Sequence, residues 1–293
     1  MTDDIRQRAI NLYDRFTHEG MERRQLLAGM VRLTGSVAAA NLLIGSIAAC
    51  AQAKPKVEEK DSSLETGTTT LLGNNGRPLY NAYFAEPKKR AAVIPTVMVI
   101  HENRGLNDHI RDVARRVARA GYYALAPDML SPSGGTPANE DQARDAIGKL
   151  DLAGSTADAV AMLDLLRARQ GGNGKVGAVG FCWGGAFINR LAVAAGDKLD
   201  AGVAYYGPAP NPSEAAQVQA PLLLHYAGLD ERVNATGKPW VEALKAAGKT
   251  VEAYTYEGVN HAFNNDTSAE RYNKAAADLA WQRTLAFFTK TLR

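Results

Sequence analysis

Cysteine is scarce in this chain: 293 residues hold only Cys50 and Cys182. The two fall in segments of different character, so no disulfide framework is expected. Internal repeats are missing as well, which removes solenoids and propellers from consideration. No basic block occurs; 34 Lys and Arg against 31 Asp and Glu leave a net charge of +3 spread along the chain. Nucleic acid is therefore not the expected partner, and a small molecule is. No His, Cys and Asp cluster has metal-ligand spacing, and no glycine loop is left over for a nucleotide, so neither a metal nor another cofactor is expected. Long apolar runs are lacking too. The weakly apolar stretch from Ala28 to Ala49 is broken by Arg32 and Asn41, which argues against a stable transmembrane helix. What remains is a 46% hydrophobic chain, long enough for one large α/β domain.

The most informative stretch that is present is Gly180-Phe181-Cys182-Trp183-Gly184-Gly185. Lys175 to Val179 reads as a short buried strand, and Ala186 to Ala195 as an apolar run able to continue as a helix. A cysteine at so sharp a strand-to-helix turn has the layout of a nucleophile elbow. The nucleophile takes strained backbone angles there, and small residues are required two positions before and after it, as Gly180 and Gly184 provide. A buried, inert core cysteine is the competing reading.

An α/β-hydrolase fold places its nucleophile, acid and histidine in that order, the last two on loops after later strands. Pro221 to Ala227 reads as such a strand, and the loop after it offers Asp230 as the acid, or as a turn-forming residue. Thr250 to Tyr256 alternates like a half-buried strand, and the following loop delivers His261 as the base. His18, His109 and His225 are read as structural. The loop after the strand Val93 to Ile100 is His101-Glu102-Asn103-Arg104-Gly105, where this fold supplies half of its oxyanion hole. The amides of Trp183 and Asn103 are assigned to that role.

From about residue 68 strands and helices alternate. The reading is an opening hairpin (Thr68 to Leu72, a turn at Gly73 to Gly76, Leu79 to Phe84), a helix through Ile110 and Ala118 ended by Gly121, and a strand Tyr122 to Ala126. A helix capped at Ser155 with Asp158 and running to Arg169 follows, then a strand Gly202 to Tyr206 and a terminal helix Ala269 to Leu292. This alternation implies a mainly parallel sheet with helices on both faces.

Residues 1–50 do not read as part of that domain, which is placed at 67–293 behind a polar linker, 51–66. Residues 5–19 suit a short amphipathic helix, and Arg23-Arg24 ahead of the weakly apolar run has the shape of a twin-arginine export signal. Ile47-Ala48-Ala49-Cys50 resembles a lipobox, which would attach the protein to a membrane through a lipidated Cys50; cleavage after Ala51 or Ala53 would instead release it to the periplasm. The competing reading keeps the segment as a helical hairpin packed on the body, in the cytoplasm.

With these motifs in place, the chain from about residue 75 resembles the dienelactone hydrolase family of α/β hydrolases. Cysteine at the elbow is unusual in that superfamily. The resemblance implies a triad of Cys182, Asp230 and His261, with Glu102 where the family carries a glutamate that contacts the resting thiol, and a leader like that of exported members. It also exposes a departure. The family's archetype holds the substrate carboxylate with arginines, one of them four positions beyond the catalytic histidine, where this chain has Asn265. Arg104 or Arg232 would have to compensate, and Tyr206 and Phe263 are candidates to line an apolar pocket beside Arg104. The expected activity is hydrolysis of a small ester or lactone through a cysteine acyl-enzyme, placing the protein among carboxylic ester hydrolases. The alternative is a lipid-anchored binding protein on the same scaffold without turnover. Oligomeric state is left open.

Overall fold

The computed structural model describes residues 3–48, 55–72, 78–268 and 270–293. Three helices come first: α1 (Asp3–His18), α2 (Arg23–Thr34) and α3 (Val37–Ala48). They bury a small apolar centre of their own, including Ile10, Tyr13, Leu26, Met30 and Ile47. No single described helix is long and apolar enough to cross a membrane; α2 and α3 pass that test only together, as a pair bent by 111°. Cys50 and the residues at both alternative cleavage points lie outside the described residues.

The hairpin expected next is present as β1 (Leu64–Leu72) and β2 (Pro78–Pro87), paired antiparallel; the turn read at Gly73 to Gly76 lies outside the described residues. After it come β3 (Ile94–Ile100), α4 (Asp108–Arg119), β4 (Tyr123–Pro127), α5 (Glu140–Ile147), α6 (Leu152–Arg167), β5 (Gly172–Phe181) and α7 (Trp183–Ala194). The chain then continues through β6 (Ala201–Tyr205), β7 (Leu222–Ala227), α8 (Glu231–Ala246), β8 (Val251–Tyr256) and α9 (Lys274–Leu292). The eight strands form one sheet in the order β1-β2-β4-β3-β5-β6-β7-β8, with β3 to β8 mutually parallel.

Because successive side chains point to opposite faces of a strand, β3 sends Val97 and Val99 to one core and Met98 and Ile100 to the other. The first core is closed by α4 and α9 through Val113, Val117 and Phe288, the second by α6, α7 and α8 through Leu163, Leu191 and Trp240. Covered on both faces, β3 and β7 are buried at every residue, which is why they are apolar apart from Thr96 and His225.

Several boundaries differ from the sequence reading. Asp151, not Ser155, caps α6: its carboxylate accepts from the amides of Ala153 and Gly154, so the helix starts a turn earlier and Ser155 lies buried inside it. Asn273 caps α9 by accepting from the Ala276 amide, which delays that helix to Lys274, and Leu279 points to solvent. Helices α5 and α8 were not anticipated; α8 holds Gly237 and Pro239, residues that normally signal a break. Gly237 is required because the Tyr226 ring lies where a Cβ would stand, 2.5 Å away. Part of the polar linker is docked. The amides of Lys56 and Val57 donate to Asp112 of α4, whose carboxylate also accepts from Arg116.

Candidate active site

Cys182 sits at the carboxyl end of β5, between β3 and β6, where the chain turns into α7. Its φ of 56° and ψ of −114° lie in a region a side chain rarely occupies, a strain of about 1–3 kcal/mol that the surrounding packing must hold. The glycines two positions either side are sterically fixed. A Cβ on Gly180 would stand 2.2 Å from the Gly184 carbonyl oxygen, and one on Gly184 2.5 Å from the carbonyl oxygens of Ile100 and His101. All three obstacles are backbone, which cannot turn aside. Gly184→Ala is therefore expected to destabilise the fold by roughly 3 kcal/mol or more, read as a shift in denaturation midpoint; a midpoint unchanged within error would contradict this packing.

Asp230 lies in the turn between β7 and α8, and its carboxylate makes two contacts. One carboxylate oxygen accepts from the Val233 amide at 3.2 Å, capping α8, and the other accepts from His261 Nδ1 at 2.5 Å. His261 follows β8 in a loop and is 2% exposed; its Nε2 is buried without a hydrogen-bond partner. Burial works to lower the His261 pKa, but the Asp230 carboxylate and the Cys182 sulfur outweigh it and push it up to about 10. Burial likewise works to raise Asp230, and His261 and Arg232 hold it below the usual carboxylate range.

The sign of the linkage follows. A histidine raised from its ordinary 6.5 to about 10 stabilises the fold fully below pH 6.5, and that contribution is lost between pH 6.5 and 10. The stability gap between the wild type and His261→Gln should accordingly be largest near pH 6 and shrink toward pH 10 in urea titrations. A gap that stays constant or widens would contradict the pairing.

The loop after β3 supplies Glu102, Asn103 and Arg104. His101 Nδ1 donates to the Glu102 carbonyl and its Nε2 accepts from the Met129 amide, which fixes the start of the loop. Glu102 is 6% exposed, and its carboxylate accepts from Asn265 Nδ2 at 2.7 Å and from the Tyr206 hydroxyl at 3.4 Å. Asn265, at the position of the archetype's arginine, thus holds the glutamate. Arg104 pairs with Glu140 at 2.7 Å and donates to the Tyr13 hydroxyl. Arg232 acts on the site through its charge, lowering Asp230. Trp183 opens α7, so its amide is among those left without a helical acceptor, while its indole stacks on His101 and Phe187. Phe263 is fully buried among Tyr205, Tyr206 and Tyr256 and belongs to the core instead of the cavity wall; Tyr206 is equally buried.

Sequence reasoning missed the contribution of α1. His18 ends α1 with its Nε2 3.1 Å from Cys182 Sγ and its ring edge-on to His261 at 4.7 Å, in place of the structural role its sequence position suggests. Burial, with His261 and Arg232 beside it, keeps its pKa well below the ordinary value, so it is neutral. The neighbouring turn is tied down as well: the Thr17 carbonyl accepts from Asn103 Nδ2, and Asp14 pairs with the buried Arg271 at 3.1 Å. The cavity bounded by Thr17, His18, Cys182, His261, Asn265 and Arg271 measures about 20 Å³, room for about one water. A ring nitrogen of His18, one of His261 and the Cys182 sulfur lie within 4.8 Å of one another, a set of potential ligands that sequence spacing could not reveal.

Fold and elbow together define an α/β hydrolase with cysteine at the nucleophile turn. The chain belongs to the dienelactone hydrolase family, whose model matches residues 80–292. A protein of Escherichia coli O157:H7 bearing the provisional name carboxymethylenebutenolidase is 32% identical over 249 residues, 79% of this chain and 89% of its own length. One of Methylorubrum extorquens with the same provisional name is 35% identical over 230 residues, covering 72% of this chain and 76% of its own length. A crystal structure described as a provisional dienelactone hydrolase of Klebsiella pneumoniae is similar at a TM-score of 0.70 and 31% identity, covering 78% of this chain and 99% of that one.

Proposed function

We propose that this dienelactone-hydrolase-like enzyme cleaves small esters or lactones through a thioester on Cys182. The supporting observation is the Cys182 elbow facing a His261 whose Nδ1 is held by Asp230. His261 takes the thiol proton, the thiolate attacks the acyl carbon, and the Trp183 and Asn103 amides receive the oxyanion. His261 then protonates the leaving alcohol, and afterwards draws a proton from the water that cleaves the thioester. Asp230 orients His261 and stabilises its cation throughout. Glu102 restrains the resting site from its seat on Asn265 and Tyr206. An expelled thiolate leaves more readily than an amide nitrogen, so esters and lactones are favoured over peptides.

A cavity of about 20 Å³ admits no ester, so the competent form has α1 displaced from the thiol. When α1 leaves, Asp14 leaves with it, and Arg271 becomes the cation that meets an acidic group on the substrate. We read residues 1–50 as an export leader on the strength of Arg23-Arg24 and the short apolar run behind them, with lipidation of Cys50 as one fate, so that α1 and His18 cover Cys182 in the precursor, before the leader is removed. The intact mass of protein recovered from membrane and periplasmic fractions tests this.

The enzyme reading is tested by mass spectrometry during turnover of p-nitrophenyl acetate and a panel of small lactones. An acyl adduct on Cys182 that forms and decays with turnover is expected. Neither adduct nor turnover, in protein with its site open, would leave a binding protein on a hydrolase scaffold.

A further inference from the structure

The contact between α1 and the thiol has the chemistry of a metal site. His18 Nδ1 lies 2.8 Å from the Asp14 carbonyl and 2.8 Å from Thr17 Oγ1, and His261 Nδ1 lies on the Asp230 carboxylate. A carbonyl and a carboxylate only accept, so each ring carries its proton on Nδ1 and turns Nε2 toward the sulfur. His18 Nε2 is 3.1 Å from Sγ, and His261 Nε2 is buried with no hydrogen-bond partner. The two Nε2 atoms and the sulfur therefore converge with a single proton among them, shared between Cys182 and His261.

We propose that His18, Cys182 and His261 form a binding site for a borderline-soft divalent cation of the zinc class, which takes the place of that proton. Two imidazoles and a thiolate are the ligand types such cations select, and no carboxylate or carbonyl oxygen among the three favours magnesium or calcium. Ligand bonds of about 2.0–2.3 Å set tetrahedral ligand atoms roughly 3.4–3.6 Å apart. The three atoms already lie within 4.8 Å of one another, so small side-chain movements close the set. Both histidines also have the outer partners that fix metal-binding rings, a backbone carbonyl for His18 and a carboxylate for His261. On binding, the one proton shared by Cys182 Sγ and His261 Nε2 passes to solvent, S–metal and two N–metal bonds form, and nothing is oxidised or reduced. A fourth position remains for water. Since one ligand comes from α1 and two from the body, the cation clamps α1 over the site. Its consequence, a reversible stop on hydrolysis, rests on the reading of Cys182 as the nucleophile.

The test uses the full chain with Cys50→Ser, so that Cys182 is the only thiol, stripped with chelator and titrated with Co²⁺ and then Zn²⁺. One equivalent of Co²⁺ should give the near-ultraviolet thiolate charge-transfer band and the visible bands of a four-coordinate ion, and Zn²⁺ should abolish both. Mg²⁺ should not compete. His18→Ala and His18→Gln should weaken Zn²⁺ binding about a hundredfold, measured against a chromophoric chelator, with α1 content checked by circular dichroism. Cys182→Ala should remove the charge-transfer band in a chain whose α1 is unaltered. Zn²⁺ affinity unchanged in both His18 variants, or no thiolate band in the parent, would overturn the proposal. These readouts do not involve hydrolysis; absence of an acyl adduct in metal-free, open protein would sink the enzyme reading while leaving the titration standing.

Discussion

Cys182→Ala is expected to lower kcat/KM for an activated ester by about ten-thousand-fold or more, with no acyl adduct. The size follows from what the residue does at its place in the fold. Alanine removes the sulfur and leaves the oxyanion amides and the Asp230–His261 pair, so the residual rate is what those groups give to attack by water. The elbow constrains the backbone independently of the side chain, through Gly180, Gly184 and the Cys182 amide donating to the Tyr205 carbonyl at 3.0 Å. The variant should therefore fold, and a loss of turnover reports chemistry. Steady-state kinetics on p-nitrophenyl acetate, with circular dichroism as the control, make the check. A variant keeping a tenth of the wild-type rate would remove Cys182 from the nucleophile's role.

Removing residues 1–53 is expected to speed alkylation of Cys182 by iodoacetamide at least tenfold and to raise kcat/KM in proportion. The ties that α1 makes to the body set the scale. Arg6–Glu270 is largely exposed and worth under about 1 kcal/mol. The Asp14–Arg271 pair and the Asn103 contact with Thr17 are more sheltered and add roughly 1–3 kcal/mol. A cover held by about 2–3 kcal/mol leaves roughly one molecule in thirty to one in a hundred and fifty open, and removing it returns that factor. The body should stand alone, because its two cores are separate from the apolar centre of α1 to α3. Asp14→Ala in the full chain should give a smaller rise in the same direction. Equal alkylation rates in all three proteins would mean that α1 does not guard the thiol.

The parts of the molecule legible in the sequence are those that a local constraint dictates. Glycines two positions either side of Cys182 announce the elbow because backbone atoms stand where their Cβ atoms would be. The central strands β3 and β7 are legible because burial on both faces makes them mostly apolar, Thr96 and His225 apart. His18 was not legible: an amphipathic α1 implies a buried face without naming its partner, and the thiol lies 164 positions away. The same distance hid the ligand set, since spacing rules find metal sites built within one or two turns or hairpins. Nothing local marks Arg271 either, because its partner Asp14 is brought to it by α1 from 257 positions away. Helix α8 was concealed by a glycine that serves the Tyr226 ring and looks like a stop.

The ties between α1 and the body also impose an order in time. Arg6 and Glu270 are 264 positions apart, and Asp14 and Arg271 are 257. At about 5–20 residues added per second, the first helices leave the ribosome some 12–50 s before their docking surface exists. For that interval α1, α2 and the apolar α3 can pack only on one another. A pause in translation ahead of residue 260 would lengthen that interval without altering a single side chain.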